Sequence, residues 1–125
     1  MPTAMRFLPL ILLCFGLLMP SSGNGHHTYV TKYDAGKVVT LKGTVGSVSY
    51  QNPHITFTLA TTNGSWTIET ESIPKVQAKG LTQAVLADGA EASATGWPAR
   101  DGGAELGLKS ITIKGRTYTI RNTAR

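Results

Sequence analysis

The chain has 125 residues, which is room for one domain and excludes a second domain of ordinary size. Twelve Lys and Arg against seven Asp and Glu give a formal net charge of +5 at pH 7. These charges are scattered, so they are weak evidence for a polyanionic partner. The one cysteine, Cys14, lies in the apolar leader, so the rest of the chain cannot form a disulfide or a thiolate metal site.

Residues 1–25 have the layout of a secretory signal peptide: a short region with one positive charge, an apolar run at 7–19, then small residues. The apolar run is shorter than the roughly 20 residues of a membrane span, so we expect no membrane anchor after cleavage. Cleavage after Gly23 or after Gly25 fits the preference for small residues. Both sites predict a periplasmic or secreted protein whose single domain covers 26–125.

The domain begins with a segment, 26–37, that lacks a clear period, and we interpret it as an N-terminal arm. Alternating apolar residues over 41–70 then predict three strands joined by two tight connections. Asn63-Gly64 lies between two of these runs, and this dipeptide is the strongest short-range signal for a hairpin turn. Phe57 and Trp66 are therefore predicted to lie on adjacent strands with both side chains toward the core.

Two of the predicted strands are interrupted. Gly43 and Gly46 fall inside the first strand, where glycine marks a bulge or a tight bend. In the fifth strand, over 106–113, the apolar phase changes at Lys109-Ser110, which predicts a second bulge. Bulges of this kind let a small sheet coil into a barrel.

A short helix is predicted between the third and fourth strands. Ser72 is a candidate N-cap, Pro74 suits the first helical turn, and the helical pattern ends at Asp88-Gly89. This is the only helix that the sequence predicts. An alanine-rich fourth strand follows, and a sixth strand or a frayed tail ends the chain. The order indicates an all-β fold, a five- to six-stranded barrel like the oligonucleotide/oligosaccharide-binding (OB) fold.

Several spaced motifs resemble a family of small exported bacterial proteins grouped as domain of unknown function 6152. The motifs cover nearly all of the mature chain and are His26-His27-Thr28, Asp34, Leu41-Lys42-Gly43-Thr44-Val45, Asn52-Pro53-His54, Trp66 with Glu69, and Gly96-Trp97-Pro98-Ala99-Arg100-Asp101-Gly102. The resemblance implies export and a small β-barrel, with no assigned activity.

The histidines are the best chemical signal, and we predict His26, His27 and His54 as metal ligands, with Cu(II) as the best-suited ion. Cleavage at the later position frees the amine of His26 beside its own ring. Cleavage at the earlier position leaves Asn24-Gly25-His26, whose amine, two backbone nitrogens and ring form a square-planar set. The alternatives are a polar, mobile chain end and, for His54, a ring that fixes a turn.

Trp97, Tyr50 and Arg100 are the candidate ligand-binding residues, because an aromatic platform at a strand end can stack a ligand. Core packing is the alternative for Trp97. Asp34 and Glu69 are candidate oxygen ligands or partners of a metal ligand, although solvated carboxylates are the more common case.

No catalytic or nucleotide-binding motif is present, so the sequence predicts no enzyme. We interpret the chain as an exported binding protein for a metal ion, another small ligand or an exported protein. The alternative is an interaction module that binds a protein, a glycan or a small ligand on the barrel face. Nucleic-acid binding has the fold in its favour and the compartment against it.

Overall fold

The structure, a computed structural model, describes residues 25–124, with side chains from Tyr29 onward. The predicted signal peptide therefore lies outside the described residues, apart from Gly25. The helices and strands in this range are α1 (Gly25–Lys32), β1 (Val39–Ser49), β2 (Thr56–Thr61), β3 (Gly64–Glu69), α2 (Ile73–Ala78), β4 (Glu91–Pro98), β5 (Glu105–Ile113) and β6 (Arg116–Thr119).

The six strands form one sheet in the order β3-β2-β1-β4-β5-β6. A parallel pairing of β3 with β5 closes the first five strands into a barrel, and β6 extends the far half of β5 as an extra strand. The other neighbouring pairs are antiparallel. With α2 between β3 and β4, this topology confirms the predicted small all-β, OB-like barrel.

The core consists of every second residue along the strands, those whose side chains face inward. Phe57 and Leu59 of β2 and Ile68 of β3 are buried, as the period of two predicts. Trp66 lies on the same face of β3 and is half-buried against this core. From outside the sheet, Val76 of α2 is fully buried in the same cluster.

Both predicted interruptions of the strands are confirmed. The pairing of β1 with β2 shifts register between Gly46 and Ser49, where Ser47 has a φ of 45°. Gly43 has a different role, because a Cβ there would collide with the carbonyl oxygen of Ala60 on β2. In β5 the pairing with β4 skips one residue, Lys109, which is the extra residue of the second bulge.

The prediction of a single helical segment is wrong, because the N-terminal arm contains α1. Its residues carry little amphipathic signal of their own, and short helices depend on tertiary packing for their stability. The second helix is shorter than predicted, and 82–86 forms a turn. Ser72 precedes α2 but makes no side-chain cap; Asn52 Oδ1 accepts the hydrogen bond from the Ile73 N–H instead, at 2.8 Å.

Candidate functional site

The helix α1 lies on the barrel where β3, β4 and β5 meet. Tyr29 and Tyr33, one helical turn apart, are 3% and 1% exposed. Their ring centroids lie 4.6 Å apart, and Tyr29 meets the ring of Trp97 edge-on at 6.4 Å. With Ala124 these residues form a second buried cluster, which we call the α1 seat.

Gly107 of β5 makes this close contact possible. It pairs with Glu69 of β3 and with Trp97 of β4, so it lies in the middle of the sheet under the helix. A Cβ at this position would collide with the hydroxyl of Tyr29 and lie 3.1 Å from the Tyr33 ring. The Tyr29 hydroxyl is buried and has no hydrogen-bond partner among the described residues.

Charged side chains surround the seat and are paired with one another. Lys32 Nζ lies 2.9 Å from Glu105 Oε2 and 3.5 Å from Glu69 Oε2. The hydrogen bond to Glu105 raises the pKa of Lys32. The Tyr33 hydroxyl donates a hydrogen bond to Glu69 at 3.3 Å, and burial, followed by the Glu69 charge, raises the pKa of Tyr33.

The C-terminal segment also contacts the seat through Arg121, whose guanidinium lies 4.0 Å from the Tyr29 ring centroid. The same guanidinium forms an ion pair of 2.6 Å with Glu71, and both side chains are about nine-tenths buried, with 11% and 12% exposed. Burial raises the pKa of Tyr29, and the charge of Arg121 opposes this shift.

Hydrogen bonds to backbone carbonyls hold the C-terminal end of α1 against the end of β4 and the β4–β5 connection. The Arg100 N–H donates to the Lys32 carbonyl at 2.9 Å, and Arg100 Nε donates to the Val30 carbonyl at 3.2 Å. The Asp34 N–H donates to the Pro98 carbonyl at 2.8 Å. Arg100 therefore satisfies carbonyl groups that the end of a helix leaves unpaired.

The predicted ligand-binding residues do not form one surface. Trp97 is buried under α1, and Arg100 is bonded to that helix. Tyr50 is half-buried and donates a hydrogen bond to the Leu81 carbonyl at 2.9 Å, next to α2. The structure places each of the three in a contact within the fold.

The predicted metal ligands are only partly described. His26 and His27 lie in the first turn of α1, but their side chains fall outside the described residues. His54 is exposed in the connection between β1 and β2. Among the side chains that the structure describes, no group of three or more His, Cys, Asp or Glu could hold a metal ion. The metal site thus stays a prediction.

Sequence reasoning missed the tyrosines, Arg121 and Glu71 as parts of one cluster. The spacing of Tyr29 and Tyr33, four residues apart, is the available signal, because such residues share one face of a helix. Arg121 gave no such signal, since its partners lie 50 and 92 positions away in sequence.

A surface cleft lies on another part of the barrel, between the segment 84–90 and the β5–β6 hairpin. Its volume is about 590 Å³, and its lining includes Val85, Ile113 and Tyr118. Lys114 and Arg116 of the hairpin line it from one side. A volume of this size is in the range of sites that hold small ligands.

Solved structures similar in fold include two of the protein TiaS. One is "Crystal structure of the ZRD-deleted mutant of TiaS in complex with agmatine", with 19% identity and a TM-score of 0.53 over 74% of this chain and 28% of that chain. The other, a crystal structure of TiaS in complex with a tRNA and ATP, has 20% identity and a TM-score of 0.50 over 67% and 19%. This chain spans less than a third of either, and at such identities the likeness shows the fold alone.

The sequence comparisons identify a family and no characterised relative. A search of curated proteins gives no match. Within 25–124, neither helix has the length and apolar character needed to cross a membrane. The model of the Family of unknown function (DUF6152) matches residues 17–115, which is most of the chain. The resemblance seen in the motifs is thereby confirmed, and the chain belongs to this family.

Proposed function

We propose that this protein is an exported, non-enzymatic binding protein that holds a transition-metal ion, Cu(II) above all, at its processed amino terminus. His26 and His27 are the central ligands. The observation that carries the proposal is the α1 seat: the helix that bears both histidines is fastened to the barrel by two buried tyrosines. This favours a defined chelating terminus over a mobile chain end.

The helix also leaves the required nitrogen atoms available. The first four N–H groups of an α-helix have no intrahelical partner. Gly25 and His26 are the first two described residues of α1. After cleavage at the earlier site, no carbonyl remains one turn before them to accept from their N–H groups, so Cu(II) can displace these two amide protons without competing with a helical hydrogen bond. After cleavage at the earlier site, these nitrogens, the new amine and the His26 ring supply a square-planar set for Cu(II).

The carboxylates near the seat support a binding role over hydrolysis. Glu69 and Glu105 are ion-paired with Lys32, and Glu71 is ion-paired with Arg121. A general base must be able to take a proton from its substrate, and a carboxylate already paired with a cation is poorly suited to that task. We therefore assign these groups to holding α1 in place.

Cu(II) titration of the exported, processed protein tests the proposal. We expect tight binding that weakens as the pH falls from roughly 8 to 6, because both the amine and the imidazole must lose a proton to bind the ion. An N-terminal extension that blocks the amine, or the double change H26A/H27A, should remove most of the affinity.

His54→Ala is the matched control, since it removes the one histidine outside α1. It should cost less than the loss of the terminus, and any loss would indicate that His54 supplies a further ligand. Intact mass measured with and without Cu(II) and Zn(II) fixes the cleavage site in the same experiment. Equal affinity in the processed and extended proteins would remove the amine from the site, and no binding in either would favour the interaction-module alternative.

A further inference from the structure

The cleft between 84–90 and the β5–β6 hairpin has an apolar interior and a cationic rim. Val85 and Ala90, both half-buried, provide aliphatic surface, and Ile113, which is 3% exposed, also lines the cleft. The β5–β6 hairpin forms the opposite wall. Its connection is tight: Lys114 and Gly115 adopt positive φ values of 50° and 76°, as a two-residue turn requires.

The hairpin turn presents two cations to the cleft. Lys114 and Arg116 flank Gly115, are exposed, and form no ion pair with any carboxylate in the described part of the chain. The Arg116 guanidinium lies 5.1 Å from the Tyr118 ring centroid, which restricts its position.

One carboxylate, Asp88, also lines the cleft. Its Oδ1 accepts a hydrogen bond from the Val48 N–H at 3.1 Å, so one oxygen of this carboxylate is already used within the fold. Two cations against one carboxylate leave the lining with an excess of positive charge. Tyr118 is the only aromatic residue in this lining and lies 5% exposed beneath Arg116, so no open aromatic face is offered for stacking a base.

We propose that this cleft is a second binding site, separate from the amino terminus, for a small amphipathic anion, namely an aliphatic carboxylate. Its chain packs on Val85 and Ala90, and its head group accepts charge-assisted hydrogen bonds from Lys114 and Arg116. The volume of about 590 Å³ accommodates a molecule of this size.

Titration of the full processed chain with dodecanoate, kept below its micelle-forming concentration, tests the site. Binding measured by calorimetry should be accompanied by amide chemical-shift changes confined to 84–90 and 112–118. Butyrate, which has the same head group and little chain, and dodecyltrimethylammonium, which has the same chain and the opposite charge, should each bind at least about tenfold more weakly.

Two variants separate the head-group contacts from the cleft itself. K114Q/R116Q removes both cations at exposed positions, and Ala84→Trp fills the cleft from an exposed position on its edge. Both should weaken dodecanoate binding by about tenfold or more. Lys37→Gln is the control, because it neutralises a cation near α1, where Lys37 Nζ lies 4.0 Å from Asp34 Oδ2, and it should leave the binding unchanged.

Three results would overturn the proposal. They are no saturable dodecanoate binding, equal affinity for dodecanoate and dodecyltrimethylammonium, and shift changes located away from the cleft. Tighter binding of a nucleoside monophosphate than of dodecanoate would also contradict it. Because the Cu(II) titration uses the amino terminus, failure at one site leaves the result at the other site interpretable.

Discussion

Gly107 is a residue at which α1 approaches the barrel closely. Three strands and two tyrosine rings meet around it, and the lack of a side chain is what admits Tyr29. Its backbone pairs as that of an ordinary strand residue does, so its role is steric. A side chain placed in that space should therefore release the helix, so that its contribution to stability can be measured apart from that of the barrel.

Gly107→Ala is predicted to destabilise the protein by about 1–3 kcal/mol, the usual cost of overpacking, and to release α1 from its seat. The urea-unfolding midpoint measures the first effect, and hydrogen exchange of the Tyr33 amide, which donates to the Tyr29 carbonyl at 3.0 Å, measures the second. Gly46→Ala is the control with a smaller expected cost, because its Cβ would meet only the Thr58 hydroxyl at 3.2 Å. Wild-type protection of the Tyr33 amide in Gly107→Ala would show that the helix does not need this contact.

The buried tyrosines predict a loss of stability at alkaline pH. Burial raises the pKa of both Tyr29 and Tyr33, so the folded protein keeps protons that the unfolded chain loses above about pH 10. Because the folded pKa is the higher one, the stabilisation is complete below pH 10 and declines as the pH rises past it. Lys32, whose pKa is also raised, acts in the same direction.

Tyr29→Phe tests this linkage. The Tyr29 hydroxyl has no partner among the described residues, so its removal should cost little at pH 7 and should reduce the loss of stability above pH 10. Urea midpoints measured from about pH 8 to about pH 11.5, with tyrosinate absorbance recorded in parallel, provide the comparison. An unchanged alkaline slope in the variant would contradict the assignment to Tyr29.

At the scale of elements, β2 and β3 show how far an alternating pattern predicts burial. The hairpin pairs Phe57 with Ile68 and Leu59 with Trp66, so the predicted adjacency of the two strands is confirmed. The pattern places all four on one face, but it does not distinguish Phe57, which is 1% exposed, from Trp66, which is half-buried.

Truncation of these two residues should therefore have unequal effects. Phe57→Ala should destabilise the domain by about 3–5 kcal/mol, the range for a fully buried aromatic residue, and Trp66→Ala should cost less. Equilibrium urea unfolding measures both. Thr67→Ala, at an exposed position on the same strand, is the control and should change the midpoint little. Equal and small losses in Phe57→Ala and Trp66→Ala would mean that this face does not form the core.

At the scale of the whole molecule, the predicted leader and the barrel are expected to have separate roles. The signal peptide prediction concerns residues 1–25, and the metal proposal depends on where cleavage occurs. Fusion of this segment to a reporter should export the reporter and release it by cleavage near Gly23 or Gly25. Amino-terminal sequencing of the released protein identifies the cleavage site. An uncleaved reporter retained in the membrane would show that the segment is a membrane anchor instead.

The sequence by itself determined the order of the strands, the two bulges and the hairpin between β2 and β3, although the turn lies at Thr62-Asn63, one position before the predicted Asn63-Gly64. These are local properties, set by the alternation of side chains and by glycine at fixed positions, and they are visible within a few residues. The short helix between β3 and β4 was equally accessible, because Pro74 and the change of period mark it locally.

Only the tertiary structure decided the contacts of α1. Apart from the spacing of Tyr29 and Tyr33, the helix has a weak pattern of its own, and it packs on a surface built by β3, β4 and β5. The sequence around Tyr29 therefore does not contain the contacts that stabilise the helix. The pairing of Arg121 with Glu71, and the cleft formed by 84–90 and the hairpin at Lys114, likewise join segments that are distant in the chain. Closure of the barrel brings them together, because the parallel pairing of β3 with β5 fixes where each connection must lie.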